Sequence, residues 1–448
     1  MFTNEFIKQA AAEVNDYVIK TRRELHKRAE IGGQTFRTHE FVKAELDGMG
    51  IPWEPVPAYG FLATLDSGRP GPCIGLRADM DALPMPEDEC NLSKKRAVMS
   101  DTPDRTCHAC GHDAHTAMLL GAAKILSSNM DKFDGVIYLA FEDGEENGKG
   151  WPGMVEALAD KHVDTFWAIH VWSDLDSGKI CVQAGPRMAG NLGVDLTFIG
   201  RGGHASRPDQ AVNPVFCAAN YLNNLAVAFA NQIDANETVT LGITSIQGGE
   251  TSNIIPDTAR VIGTLRLFSN KEGEKAYRIL REVAEHTAMM HHCTVEYGEK
   301  CTPFSSPTEN DSYYSALAEA ALPEVLPEGA VVKSDPWYAS ESFGRYLRLY
   351  PGVLAHLGIR CPEKGTGAPH HNSKFDVDED VLALGVMSTL KYVAAVNEKG
   401  IKKSPPELRL DEPNEATAAA IEEGRRIASG NSVKGYSSIE ELRSALNV

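Results

Sequence analysis

The stretch 107-CHACGHDAH-115 places Cys107, His108, Cys110, His112, Asp113 and His115 within nine positions. A thiolate at Cys110 and an imidazole at His112, two apart, share one face of an extended segment, so both reach one cation from a strand end or tight turn. Gly111 between them removes bulk and permits an unusual backbone angle. A chance cluster or a Cys107–Cys110 thiol pair is the bland alternative; the interleaved histidines favour a metal site. A structural zinc needs a second close ligand pair, and the sequence has none at zinc-finger spacing. The other ligands must then come from distant segments, as in a catalytic site within an α/β domain.

Working outward, apolar runs at 61–66 and 73–77 read as strands, and the second continues into 77-RADMDALP-84. Asp79 and Asp81 lie just past its end, where open α/β sheets keep their sites. After the cysteine–histidine stretch, TAMLLGAAKILSSN predicts an apolar helix. A strand over 136–141 runs into Glu142, Asp143, Glu145 and Glu146. Two adjacent glutamates allow one to bind metal while its neighbour acts as base. FWAIHVW (166–172) is a further strand carrying His170, and a later loop, GAPHHNSKFDVDED, carries His370 and His371. Helices are expected over 5–28, 38–49 and up to about 396.

The pattern changes after residue 187. A strand at 192–201, a helix at 211–231, strands at 237–248 and 258–268, a helix at 271–290 and a strand at 292–299 give β-α-β-β-α-β, the ferredoxin-like order. The expected organisation is a catalytic domain in two parts, 1–187 and 301–400, interrupted by an α+β domain at 188–300. A Pro-rich linker and helical tail follow at 401–448.

A net charge of −18 disfavours nucleic acid and anionic membranes as partners. No run approaches 18 apolar residues, the N-terminus lacks an apolar signal core, and nine cysteines are too sparse for a disulfide framework. A cytoplasmic enzyme is expected.

Residues 5–398 resemble the metal-dependent amidohydrolases of the aminoacylase/carboxypeptidase clan, nearest the hippurate, N-acyl-amino-acid and auxin-conjugate hydrolases. The resemblance rests on RRELH (22–26), RADMDALP, HACGHDAHTAMLLGAA (108–123), FEDGEE, AIHVW, GRGGHASRPDQAVNP, GGETSNIIPDTARVIGTLR (248–266), SESF and HHNSKFDVDED, in matching order. It implies a zinc-peptidase-like α/β catalytic domain with an inserted ferredoxin-like lid and dimerisation domain. It implies Cys110, His112, Glu146, His170 and His371 as ligands of two divalent cations (zinc, manganese, cobalt or nickel). Glu145 matches the general base and Asp81 the bracing carboxylate. His204 matches a lid histidine that polarises the scissile carbonyl in a partner subunit's site, Asn253 a lid residue touching substrate, and Glu341 a glutamate near the cleft. For the substrate carboxylate, Arg207, Asn253 and Arg266 are candidate anchors. The sequence departs from the family in having Glu142-Asp143-Gly144 for Gln-Pro-Ala, Ser342 for Asp and Ser373 for Pro. The extra acid beside the ligands bears on metal preference and substrate charge.

The implied reaction is hydrolysis of an N-acyl amino acid by a metal-activated water. A dipeptidase or carboxypeptidase of the same clan is the alternative. The tail, from EPNEATAAAIEEG to the last residue, resembles the toxin-binding part of RelB/DinJ antitoxins. It implies a RelE/YafQ-type toxin as partner, and a second alternative: a metal-binding interaction protein acting through that tail.

Overall fold

The computed structural model describes residues 2–56, 60–299, 301 and 305–402. Of the linker and tail at 401–448 only residues 401 and 402 belong to that set, and the whole antitoxin-like stretch lies outside it. Its central sheet has seven strands. In spatial order they are Trp53–Pro55, Gly60–Asp66, Val136–Glu142, Cys73–Asp79, Thr165–Asp176, Gly352–Arg360 and Ile180–Cys181. The four in the middle run parallel, with Asp79 in register with Glu142 and His170 with His356. These strands are almost wholly buried, as parallel strands covered on both faces are.

Helices cover the sheet because their sequences carry apolar faces. In Asn4–Lys27, Ile7, Ala11, Val14, Val18 and Leu25 point inward, and the Thr3 side chain caps the first turn by accepting from the Phe6 N–H. The helix His112–Ser127 is apolar on nearly every side and lies between Asn4–Lys27 and Leu382–Lys399. Gly111 caps it in the left-handed conformation, where an added Cβ would lie 2.3 Å from Val171 Cγ2. A short helix, Trp151–Leu158, follows the acidic turn and has no counterpart among the expected elements.

A second apolar core contains Leu192, Val194, Leu196, Phe198, Tyr221, Leu265 and Ile279. Its four strands, Gly190–Ile199, Val239–Gln247, Thr258–Leu267 and Thr294–Tyr297, are antiparallel. By chain order within this region they lie as second, third, first, fourth, the ferredoxin-like arrangement. Helices Pro214–Gln232 and Asn270–Met290 pack on this core. Among the described residues, no helix is long and apolar enough to cross a membrane.

Candidate metal centre

The parallel strands deliver their C-terminal ends to one edge, and there Asp81 gathers the surrounding groups. Its Oδ1 accepts from His112 Nδ1 and from the Glu145 backbone N–H, both at 3.2 Å. Its Oδ2 accepts from the Glu146 N–H at 3.1 Å. An acceptor-only carboxylate puts a hydrogen on His112 Nδ1, so Nε2 is the nitrogen left to face a metal. That Nε2 and Glu146 Oε1 are buried without a hydrogen-bond partner, 3.7 Å apart. His371 Nε2 stands 3.4 Å from the same Glu146 oxygen. His170 Nδ1 bonds the Val171 carbonyl at 2.6 Å, so it carries the proton, and Nε2 faces Cys110 Sγ at 3.6 Å.

These donors fall into overlapping sets whose atoms lie within 4.8 Å of one another: Cys110–His112–His170, Cys110–Glu146–His371 and His112–Glu145–Glu146. Orphaned buried nitrogen and oxygen atoms beside a thiol fit divalent metal, since a buried unsatisfied polar atom is otherwise costly. All five ligands expected from the sequence meet here. The last, His371, has a left-handed backbone (φ 59°), rare outside glycine, and its N–H is held by the Ala109 carbonyl at 2.9 Å.

Two neighbouring histidines are placed differently: His115 has both nitrogens bonded, while His370 has one bonded and its buried Nδ1 without a hydrogen-bond partner. His115 Nε2 accepts the Val171 N–H at 2.9 Å, so its Nδ1 donates to Asp79 Oδ1 at 2.6 Å. Both nitrogens are used, and Asp79 in turn bonds Arg77 at 2.8 Å. His370 Nε2 accepts from the Ser173 N–H.

Glu145 is positioned from two sides. Besides its N–H on Asp81, its Oε1 accepts the Ser342 N–H at 2.9 Å. Burial first, then the charges of Glu341 and Glu146, push its pKa well above the usual carboxylate value. Burial pushes Glu146 the same way, but the nearby imidazoles of His371 and His112 hold it below that value. His170 is kept neutral by burial and by neighbouring imidazoles.

The extra acid of the sequence does not join the metal donors. Glu142 Oε2 pairs with Arg77 at 2.9 Å and accepts from Tyr346 Oη at 2.8 Å, while its Oε1 accepts from Ser342 Oγ at 2.8 Å. Glu142 is therefore corrected as a metal-side acid: its carboxylate is bound into a buried network with Arg77, Tyr346 and Ser342 and is not among the grouped donors. Asp143 turns the other way, to the Gly33 N–H at 3.0 Å. Glu341 lines the cleft, but its carboxylate bonds Arg77 and the Phe343 N–H. The sequence reading missed Arg77 and Ser342. The arginine in RADMDALP, just before the two aspartates, was the available signal.

A cleft of about 330 Å³ opens beside Glu145 and Glu146, with Asn191 and Ser340 on its wall. A groove of about 390 Å³ beside Asn270 and Arg348 holds none of the metal donors. On the inserted region, Arg266 lies directly opposite Asn191 in the antiparallel pair, which puts both on one sheet face. Arg266 is half-buried and, among the described residues, has no carboxylate partner. Arg207 is exposed and clamped to Asp209 at 2.7 and 3.0 Å. His204 is exposed, its Nδ1 accepting from the Ser206 N–H at 3.1 Å, so its proton sits on Nε2. Asn253 is exposed in the adjoining loop, its carbonyl accepting from the Ala205 N–H.

Residues 75–395 match the model of peptidase family M20/M25/M40. The chain belongs to this family. It is 34% identical over 397 residues to thermostable carboxypeptidase 2 of Saccharolobus solfataricus, covering 86% of this chain and 96% of that one. It is 32% identical to IAA-amino acid hydrolase ILR1-like 4 of Arabidopsis thaliana, covering 87% and 88%. Among solved structures, the YXEP protein of Bacillus subtilis, described as a dinuclear metal-binding peptidase of family M20, superposes with a TM-score of 0.72. It is 27% identical, with 86% of this chain and 99% of that one covered. This M20 chain is a metal-dependent amide hydrolase.

Proposed function

We propose that this M20 enzyme hydrolyses N-acyl amino acids to a carboxylic acid and a free amino acid. The observation that carries the reading is Asp81, whose two oxygens fix Glu145, Glu146 and His112 around orphaned donor atoms. Cys110, His112, Glu146, His170 and His371 would hold two divalent ions of manganese, zinc, cobalt or nickel. When bound, such a pair supplies an acidified water and positive charge for the carbonyl oxygen. Glu145 takes the water's proton and returns it to the leaving nitrogen, a role suited to a carboxylate with a raised pKa. Ser342 keeps that carboxylate oriented. Arg266, aligned with cleft-lining Asn191, anchors the substrate carboxylate together with Asn253. Arg207, already paired with Asp209, is the weaker candidate.

The region 188–300 acts as the lid and as the surface of a homodimer, between catalytic segments 1–187 and 301–400. The exposed Phe216, Val227, Ile246 and Ile254 support that reading. His204 donates its Nε2–H to the oxyanion in the partner's site. The acidic charge favours a cytoplasmic setting. The resemblance of 401–448 to antitoxins supports a separate contact with a RelE/YafQ-type toxin. Deleting 405–448 should abolish toxin capture and leave hydrolysis intact.

The deciding experiment measures amino-acid release from a panel of N-acyl amino acids. The enzyme is stripped of metal and given back manganese, zinc, cobalt or nickel, with Glu145→Gln as control. Metal-dependent release that the control lacks is expected. Cleavage only of dipeptides with a free α-amino group would move the assignment to a dipeptidase.

A further inference from the structure

The cleft beside Glu145 and Glu146 ends away from the metal donors in a second built feature. Trp151 and Arg345 line it, and the Arg345 guanidinium carbon sits 5.0 Å from the centre of the Trp151 ring. Both are tied to the catalytic carboxylates by short, rigid stretches of chain. Trp151 opens the helix Trp151–Leu158, five residues after Glu146. The Arg345 N–H bonds the Ser342 carbonyl at 2.8 Å, and the Ser342 N–H holds Glu145. Base and guanidinium are thus linked through a single helical turn.

The chemistry of this end is specific. A guanidinium stacked on an indole is covered on its face and presents N–H groups along its edge, the geometry that matches a planar carboxylate. Arg345 has a further contact within the chain, and a guanidinium's five donors serve more than one acceptor. The setting makes the charge count. The cleft also holds Glu145, Glu146 and Glu341, and the whole chain carries −18, so an anionic substrate limb is repelled wherever no cation meets it. Arg266 serves the amino-acid carboxylate in the reading above. The acyl limb, on the other side of the scissile carbonyl, then runs toward Trp151 and Arg345.

We infer that the preferred substrates carry a second carboxylate at the far end of the acyl chain, received by Arg345 on the Trp151 shelf. The inference rests on the N-acyl-amino-acid reading and names its acyl group as the half-amide of a dicarboxylic acid. Arg345 is a specificity residue.

The test compares two acyl groups of equal length, glutaryl and pentanoyl, on the amino acid that the panel shows is released best. Full-length, metal-loaded enzyme should favour the glutaryl substrate in kcat/KM by at least about tenfold, an increment in the range of a charge-assisted pair. Arg345→Gln should collapse the ratio toward one through a higher KM for the glutaryl substrate. Arg345→Lys, which keeps charge without the planar fork, should fall between. Arg345→Glu should turn the preference toward 5-aminopentanoyl. Equal use of glutaryl and pentanoyl by the unaltered enzyme, or an equal loss of both in Arg345→Gln, overturns the inference and leaves the N-acyl reading standing. A preference for pentanoyl-glutamate over pentanoyl-glutamine that Arg345→Gln erases puts the second carboxylate on the amino-acid limb and overturns the acyl assignment. Cleavage of neither acyl substrate, with a free-amine dipeptide cleaved, overturns the N-acyl reading itself.

Discussion

His112, Glu145 and Glu146 hang on a carboxylate 31, 64 and 65 residues away, whereas His204 and Arg207 are held by residues two positions along the chain. The first group lies at the end of a parallel sheet, His112 buried and the two glutamates half-buried; the second is exposed on a glycine-rich loop. Long-range bonds make the body's donors a property of the whole fold, in place before any substrate arrives. Local bonds set only the side-chain direction of His204 and Arg207, and in the proposed function these residues act once a second surface meets them. On that proposal one half of the machinery is preorganised and the other is assembled.

The largest effect should come from the preorganised half. Glu145→Gln should lower kcat by roughly 10²–10⁴. Melting temperature and bound-metal stoichiometry should stay near those of the unaltered protein, because the backbone bond to Asp81 remains. Loss of metal in this variant would move Glu145 into the ligand set. His204→Ala should cost about 10²–10³ in kcat, the usual loss for one oxyanion donor, with stability untouched. Mixing this variant with Glu145→Gln and allowing subunits to exchange should regenerate activity that neither has alone. No recovery in a verified mixed dimer would place His204 in its own subunit's reaction or outside it.

A smaller effect sharpens the contrast through pH. His356 is fully buried, its ring tilted against Trp172 with centroids 4.9 Å apart, and burial followed by the charge of Arg187 lowers its pKa to about 3. Unfolded, the same imidazole titrates near 6.5, so between those values the unfolded chain binds a proton that the folded chain does not. The contribution is complete above 6.5 and is lost as pH falls. By pH 5 it amounts to about 2 kcal/mol. Denaturant titrations of His356→Leu beside the unaltered protein should show a flatter pH dependence between 7 and 5. Least affected should be Arg207→Ala: its ion pair is exposed on both sides, and kcat/KM should change by no more than about twofold. A tenfold rise in KM would instead make it a substrate anchor.

The same contrast explains what could be read from the amino-acid order. Cys110 and His112 stood out because their spacing is local, and Glu145 and Glu146 because adjacent acids follow a buried strand. The ferredoxin-like order was legible from alternating periodicities over 192–299. Arg77 and Ser342 were not, because their roles arise where segments 265 positions apart meet. His115 looked as good a ligand as His112; only the Val171 N–H, placed by sheet register, takes its free nitrogen. The Trp151–Leu158 helix escaped because a glycine-rich acidic turn masks its start. Glu142 read as a metal-side acid because a strand end gives no hint of which way its last side chain turns.

Four of the five proposed metal donors have been synthesised once residue 170 is made, yet His371 follows only after the entire inserted region, as does Gly352–Arg360, the strand that lies beside Thr165–Asp176 in the central sheet. A ribosome that has made three-quarters of the chain has therefore built the antiparallel sheet of the inserted region but neither the whole proposed donor set nor the whole central sheet. Domains fold as units in the order they emerge. The inserted region is thus the early-folding unit, and the body around the central sheet is the one that must wait, its first half unpaired along one sheet edge, until the final third is released.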